Sequence, residues 1–232
     1  EALAAYDRAL ASMPDSADLL INRGLAALAL GEQEVALADF QAAATMRPDV
    51  PEAWSNAANA LRLLGRRDDA LAHCDEALAL RPAFPAALVN RGNILLGLRR
   101  FAAALDSFDK ALRLDPDLAA AFCNRGDALM ELNRPDDALA SFDNAIRRSP
   151  NMAEAHFGRA LALLTLGRLR DGFRAYEWRL KRAGMPRPGV GRGVPWDGRP
   201  IPPGKTLRIF PEAQIGDLLM FCRYARLLKE QG

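Results

Sequence analysis

The chain has 232 residues, half of them apolar and 26% charged, which leaves room for one large domain or two small ones and is too balanced for a largely disordered chain. No apolar run approaches the roughly 18 to 20 residues of a membrane helix, and Cys74, Cys123 and Cys222 are too few and scattered for a disulfide framework or a zinc site. Residues 1–150 carry 16 Lys and Arg against 22 Asp and Glu, whereas 151–232 carry 15 against 7, so the end of the chain differs in kind from its body.

The helical pattern is already under way at Glu1, so the natural start is expected to lie upstream, and whether a signal peptide precedes it stays open. From there Pro14, Pro48, Pro82, Pro116 and Pro150 recur every 34 residues. Near the middle of each unit stand Gly31, Gly65, Arg99 and Asn133; Gly and Asn suit the left-handed residue on which a helix stops and turns, and Arg99 is the exception. Each unit reads as two amphipathic helices of about 13 residues closed by the proline, which cannot continue a helix.

The second helix of each unit repeats a small residue, a larger one and a small one at spacings of four and three. The series runs Ala36, Phe40, Ala43, then Ala70, Cys74, Ala77, then Ala104, Phe108, Ala111, then Ala138, Phe142, Ala145. These positions share one helical face, where a ring drops between alanines that permit close approach. Gly24, Ala58, Gly92 and Gly126 supply the matching contact point on the first helix.

A further regularity links neighbouring units. Sixteen residues separate Asp7 from Arg23, Asp75 from Arg91, Asp109 from Arg125 and Asp143 from Arg159, and at the remaining register both charges vanish together as Gln41 and Ala57. Four inter-repeat salt bridges are expected, each worth about 0.5 to 1 kcal/mol if exposed.

The period, the Trp54-to-Ala58 stretch (WSNAA) and the terminal proline resemble the tetratricopeptide repeat. The resemblance implies an all-α, right-handed superhelical solenoid over residues 1–182: a partial repeat 1–14, repeats 15–48, 49–82, 83–116 and 117–150, and a degenerate repeat 151–182. In that last unit Gly172 and Tyr176 keep the pattern while Arg179 breaks it.

First helices line the concave side of such a stack. The stripe facing a bound segment carries Asn22, Asn56, Asn90 and Asn124, with Gly158 in the final unit, and one turn on Asn59, Asn93 and Asp127 between Leu25 and Leu161. An Asn side chain offers an acceptor and a donor together, matching one peptide unit of an extended chain. The row is similar to the asparagine ladder of O-linked N-acetylglucosamine transferases, which implies a grip on the partner's backbone. A carboxylate clamp, the other well-known use of the repeat, requires Lys or Arg where this sequence has Asp18, Glu52, Ala86, Ala120 and Glu154, then Ile21, Ser55, Val89, Cys123 and Phe157.

Residues 186–204 hold six prolines and five glycines, so 183–204 reads as a linker. Thr206 to Phe210 then reads as a buried strand and Gly216 to Glu230 as an amphipathic helix, a short strand-helix remnant of an α/β domain over 205–232. The run from Trp178 through Pro195-Trp196-Asp197-Gly198 to Gln214-Ile215-Gly216-Asp217 and Arg223-Tyr224 is similar to the junction in bacterial repeat proteins that continue into a heptosyltransferase-like glycosyltransferase domain. That resemblance implies a general-base role for Asp217 in a longer protein; by itself Asp217 reads as a helix cap. His73 and His156 lack metal-ligand spacing and read as packing residues.

The expected protein is therefore a cytoplasmic interaction module, not itself an enzyme, that binds an extended peptide or partner protein on its concave face. The alternative is a substrate-recruiting or oligomerisation region of a glycosyltransferase. No cofactor, metal, nucleic acid or membrane is expected, and self-association is compatible with the sequence.

Overall fold

A computed structural model describes residues 2–182 of the chain, and all its regular elements are helices. They are α1 (Ala2–Ser12), α2 (Ala17–Leu30), α3 (Gln33–Met46), α4 (Pro51–Leu63), α5 (Arg67–Leu80), α6 (Pro85–Gly97), α7 (Phe101–Leu114), α8 (Ala119–Glu131), α9 (Pro135–Arg148), α10 (Ala153–Thr165) and α11 (Leu169–Tyr176), followed by a 3₁₀ turn at Glu177–Lys181. The chain divides into two compact units, Glu1–Trp178 and Arg179–Gly232. The strand expected at 206–210 and the helix at 216–230 lie outside the described residues, as does Asp217.

Local chemistry sets the helix ends. Pro51, Pro85 and Pro135 begin α4, α6 and α9, where the missing N–H is no loss. Ser16 caps α2 by accepting from the Leu19 N–H at 3.3 Å. The turn inside each hairpin is the same throughout: Gly31, Gly65, Arg99, Asn133 and Gly167 all take positive φ, between 55° and 80°. The next residue's N–H reaches back to a carbonyl of the last helical turn, as Glu32 does to Ala27 at 2.9 Å and Arg100 to Leu95 at 2.8 Å. Arg99 is therefore no exception. Two flanking helices fix the turn, and Arg99 adopts φ 58° against the steric preference of a side chain.

Packing between the two helices of a hairpin follows the small-large-small pattern. Phe40, Phe108 and Phe142 are fully buried. A Cβ placed on Gly24 or Gly126 would lie 2.6 Å from the ring edge of Phe40 or Phe142, so glycine is what lets the ring in. Repeat 49–82 solves the same contact differently, pairing Ala58 with Cys74, both at zero exposure. The methyl that a ring would exclude is admitted once the ring is gone, a matched exchange that the sequence displays but that only the packing explains.

Successive first helices α2, α4, α6, α8 and α10 touch one another, whereas α3, α5, α7 and α9 touch only first helices. The first helices thus form the shorter, inner side of the stack, and this is what positions the site.

Candidate functional site

On α8 the exposed Ala120, Asp127 and Glu131 share one stripe with half-buried Asn124, and the same offsets pick out the exposed Asp18, Asn22, Leu25 and Ala29 on α2. The spacing of four, three and four residues keeps all of them on one helical stripe. Asn22 and Asp127 are exposed; Asn56, Asn59, Asn90, Asn93 and Asn124 are half-buried.

The structure gives these amides narrower roles than one donor plus one acceptor each. Asn90 Nδ2 donates to the Ser55 carbonyl at 3.3 Å and to Ser55 Oγ at 3.1 Å, and Asn124 Nδ2 donates to Asn93 Oδ1 at 2.6 Å. Asn59 Oδ1 accepts from Arg62 Nη2 at 2.9 Å, where burial lowers the guanidinium's pKa. Neighbouring helices approach closely enough to bond each other's side chains, and this splits the ladder. Asn90 and Asn124 commit amide N–H groups to the preceding first helix and keep their carbonyl oxygens, while the carbonyl oxygens of Asn59 and Asn93 are engaged, the former by Arg62 of its own helix, and their N–H groups stay available. Asn22 and Asn56 make no side-chain hydrogen bond among the described residues. At Gly158, the ladder position of α10, a Cβ would come within 2.5 Å of Phe142 Cζ, so the row ends there for a packing reason.

Behind the stripe lies an ionic seam that holds the helices in register. All four expected pairs form: Asp7–Arg23 and Asp75–Arg91 at 2.8 Å, Asp109–Arg125 and Asp143–Arg159 at 2.6 Å. Each arginine sits on a first helix and reaches the second helix of the preceding unit. Sequence reasoning missed the second partner, on the arginine's own hairpin. Arg91 Nη1 donates to Ser107 Oγ at 3.1 Å, Arg125 Nη1 to Ser141 Oγ at 2.5 Å, and Arg23 closes a two-pronged pair with buried Asp39 at 2.8 and 2.5 Å. Hydrogen bonding to Asp39 first, against desolvation and with help from Asp7, raises the pKa of Arg23 above its ordinary value. The missing signal was a second spacing of sixteen, from Arg23 to Asp39, Arg91 to Ser107 and Arg125 to Ser141, legible once Ser is admitted as an acceptor.

The two histidines pack, as their spacing implies, but His156 does more. Its Nε2 lies 2.8 Å from the Pro150 carbonyl, the place taken in repeat 49–82 by Trp54 Nε1 donating to Pro48 at 3.0 Å. Its ring stacks on Trp178 at 3.6 Å. Burial pushes the Cys74 thiol up to about 12, far from a reactive thiolate. Among the described residues no group of three His, Cys, Asp or Glu is placed to hold a metal, and no helix is long and apolar enough to cross a membrane.

Comparison with known proteins agrees with this architecture. Models of the tetratricopeptide repeat match residues 1–51 and 123–188, 51–84, and 85–118. No curated protein sequence matches the chain. Among solved structures, TTC0263 of Thermus thermophilus, a thermophilic TPR protein, is 24% identical with a TM-score of 0.63, over 72% of this chain and 92% of that one. PilF of Pseudomonas aeruginosa is 22% identical with a TM-score of 0.66, over 73% and 78%. YrrB, described as a TPR protein with an unusual peptide-binding site, is 19% identical with a TM-score of 0.58, over 76% and 91%. At these identities the likeness is one of fold.

Proposed function

The chain belongs to the tetratricopeptide repeat family, and from that premise we propose that it is a protein-interaction module that holds an extended polypeptide along the inner stripe of α2, α4, α6, α8 and α10. The observation that carries this reading is the split ladder. An extended strand turns its N–H and C=O groups to alternate sides. A row of acceptors at Asn90 and Asn124 beside a row of donors at Asn59 and Asn93 complements that alternation with little regard for side chains. Helix axes 8 to 10 Å apart place about three extended residues over each repeat. The peptide-binding site named for YrrB supports the reading by analogy of fold.

The test is fluorescence anisotropy with a library of unstructured peptides against the wild type, Asn90→Ala/Asn124→Ala and, as a control on α9, Asn144→Ala. A net hydrogen bond contributes about 0.5 to 1.5 kcal/mol, so the double variant should bind about 5- to 100-fold more weakly while the control is unchanged. Self-association by sedimentation, with no peptide bound, would replace this reading by an oligomerisation scaffold. A narrower reading, recruitment of substrate to a glycosyltransferase domain in a longer cytoplasmic protein with Asp217 as its base, is supported by the sequence run from Trp178 to Tyr224 alone. Transfer of a labelled sugar from a nucleotide donor by the longer protein, abolished by Asp217→Asn, tests it.

A further inference from the structure

One first helix breaks the apolar pattern of the stack. Three residues after the stripe positions Leu25, Asn93, Asp127 and Leu161 stand Leu28, Leu96, Met130 and Leu164; three after Asn59, on α4, stands Arg62. Leu28, Leu96 and Met130 pack against buried clusters, and Arg62 takes the same place half-buried, its pKa lowered by desolvation. Its Nε and Nη2 both donate to Asn59 Oδ1, at 3.3 and 2.9 Å, so two hydrogens are satisfied by a neutral acceptor and the charge is left unanswered. No carboxylate pairs with Arg62 among the described residues. A half-buried cation without a counter-charge is costly, and leucine fills the seat at lower cost. What arginine adds is its remaining Nη1–Nη2 edge, a fork that matches the two oxygens of a carboxylate.

A second cation reaches the same end of the groove. The last stripe position of α6, in contact with α4, is Gly97, where the other first helices carry Ala29, Leu63, Glu131 and Thr165. Arg67, at the start of α5, fills the space: a Cβ on Gly97 would lie 2.7 Å from its Nε. Arg67 likewise forms no ion pair among the described residues. Asn93 stands 31 residues after Arg62, the same offset at which Asn124 meets Asn93, so the repeat brings its available amide N–H groups to Arg62. The carboxylates of the stripe are engaged elsewhere. Glu52 is about 15 Å back along α4 and 2.6 Å from Arg81, and Glu131 on α8 has Arg99 at 3.8 Å.

We propose that the turn end of α4 and α6 is the specificity site of the groove, seating an aspartate or glutamate side chain of the bound segment on the open edge of Arg62, with Arg67 and the Asn93 amide beside it. This rests on the extended-peptide reading and adds to it a chemical class of partner: a segment with an acidic residue inside it, selected by a groove whose amide rows are otherwise indifferent to side chains. The seat lies off the register a carboxylate clamp uses and takes a side chain rather than a chain end.

The experiment uses the full chain and four N-terminally labelled Ser-Ala peptides of about ten residues. Three are amidated at the C-terminus and carry Glu, Gln or Lys at the centre; the fourth has Gln at the centre and a free C-terminal carboxylate. The Glu peptide should bind about 5- to 30-fold more tightly than the amidated Gln peptide, the Lys peptide more weakly than either, and the free carboxylate should add less than about 2-fold. In Arg62→Leu, which copies Leu28 and Leu96, the Glu advantage should fall below about 3-fold with Gln-peptide binding unchanged, while the urea midpoint of the free chain should rise because the uncompensated cation is gone. Asn90→Ala/Asn124→Ala should weaken all four alike. Equal binding of the Glu and Gln peptides, a lower urea midpoint in Arg62→Leu, or a free carboxylate that binds as tightly as the central Glu each overturns the acidic-residue inference and leaves the extended-peptide reading standing. Failure of all four to bind overturns both.

Discussion

Replacing Arg23 by Ala separates a buried ion pair from the exposed ones along the same seam. Arg23 is bonded twice to Asp39, whose side chain is 4% exposed, and once to Asp7, whose side chain is 59% exposed. Losing the Asp7 bridge costs less than about 1 kcal/mol. Losing the other leaves a carboxylate buried without its partner, which costs about 3 to 5 kcal/mol. Arg125→Ala is the internal comparison, because it removes a bridge to Asp109, 36% exposed, and a hydrogen bond to the Ser141 hydroxyl, together about 1 to 2 kcal/mol. In a stack whose repeats contact only neighbours, damage near one end opens that end first. The assay is therefore native-state hydrogen exchange on the α2 and α3 amides for Arg23→Ala and on the α8 and α9 amides for Arg125→Ala, alongside urea unfolding. Protection around Arg23 should fall by at least about 2 kcal/mol more than around Arg125, and Arg23→Ala/Asp39→Ala should recover much of the loss by removing the orphaned charge. Equal losses at the two sites, or no recovery in the double variant, would refute the reasoning.

Three other outcomes follow from the packing and the turns. Gly92→Ala puts a Cβ 2.6 Å from Phe108 Cζ and should cost about 1 to 3 kcal/mol in urea unfolding, whereas Gly92→Ala/Phe108→Cys, which copies Ala58 and Cys74, should lose less than Phe108→Cys alone. The Cys74 thiol, raised to about 12 by burial, stays protonated in the fold while the unfolded chain ionises near 9. Stability relative to Cys74→Ala should therefore fall between pH 9 and 12, by up to about 1.4 kcal/mol per pH unit, as read from chemical unfolding at each pH. Arg99→Gly relieves a left-handed residue at φ 58° and should raise the thermal midpoint through a gain of about 0.5 to 1 kcal/mol, while Gly65→Ala at φ 78° should lower it by a similar amount.

The architecture was legible because each of its rules is local and recurs. A 34-residue period, a ring between two alanines and a carboxylate sixteen residues before an arginine state the helix faces and the register of one hairpin on the next. Those features depend on helix geometry, which is the same in every unit, so one repeat predicts the others. Arg99 was misjudged by the same logic in reverse: residue preference pointed away from the left-handed turn, but the two helices it joins leave the chain no other path.

What the amino-acid order determined by itself is thus the solenoid and the row of asparagines on its inner stripe. Which atoms of those asparagines the neighbouring helices engage was decided only in three dimensions. Asn90 bonds Ser55 and Asn124 bonds Asn93 across more than thirty residues of chain, and the choice turns on how near adjacent inner helices come. The same holds for Asp39, buried against Arg23, and for His156, whose ring nitrogen stands in for the indole of Trp54. Helix periodicity places a side chain on a face; the distance to the next helix selects its hydrogen-bond partner, and no local pattern encodes that distance.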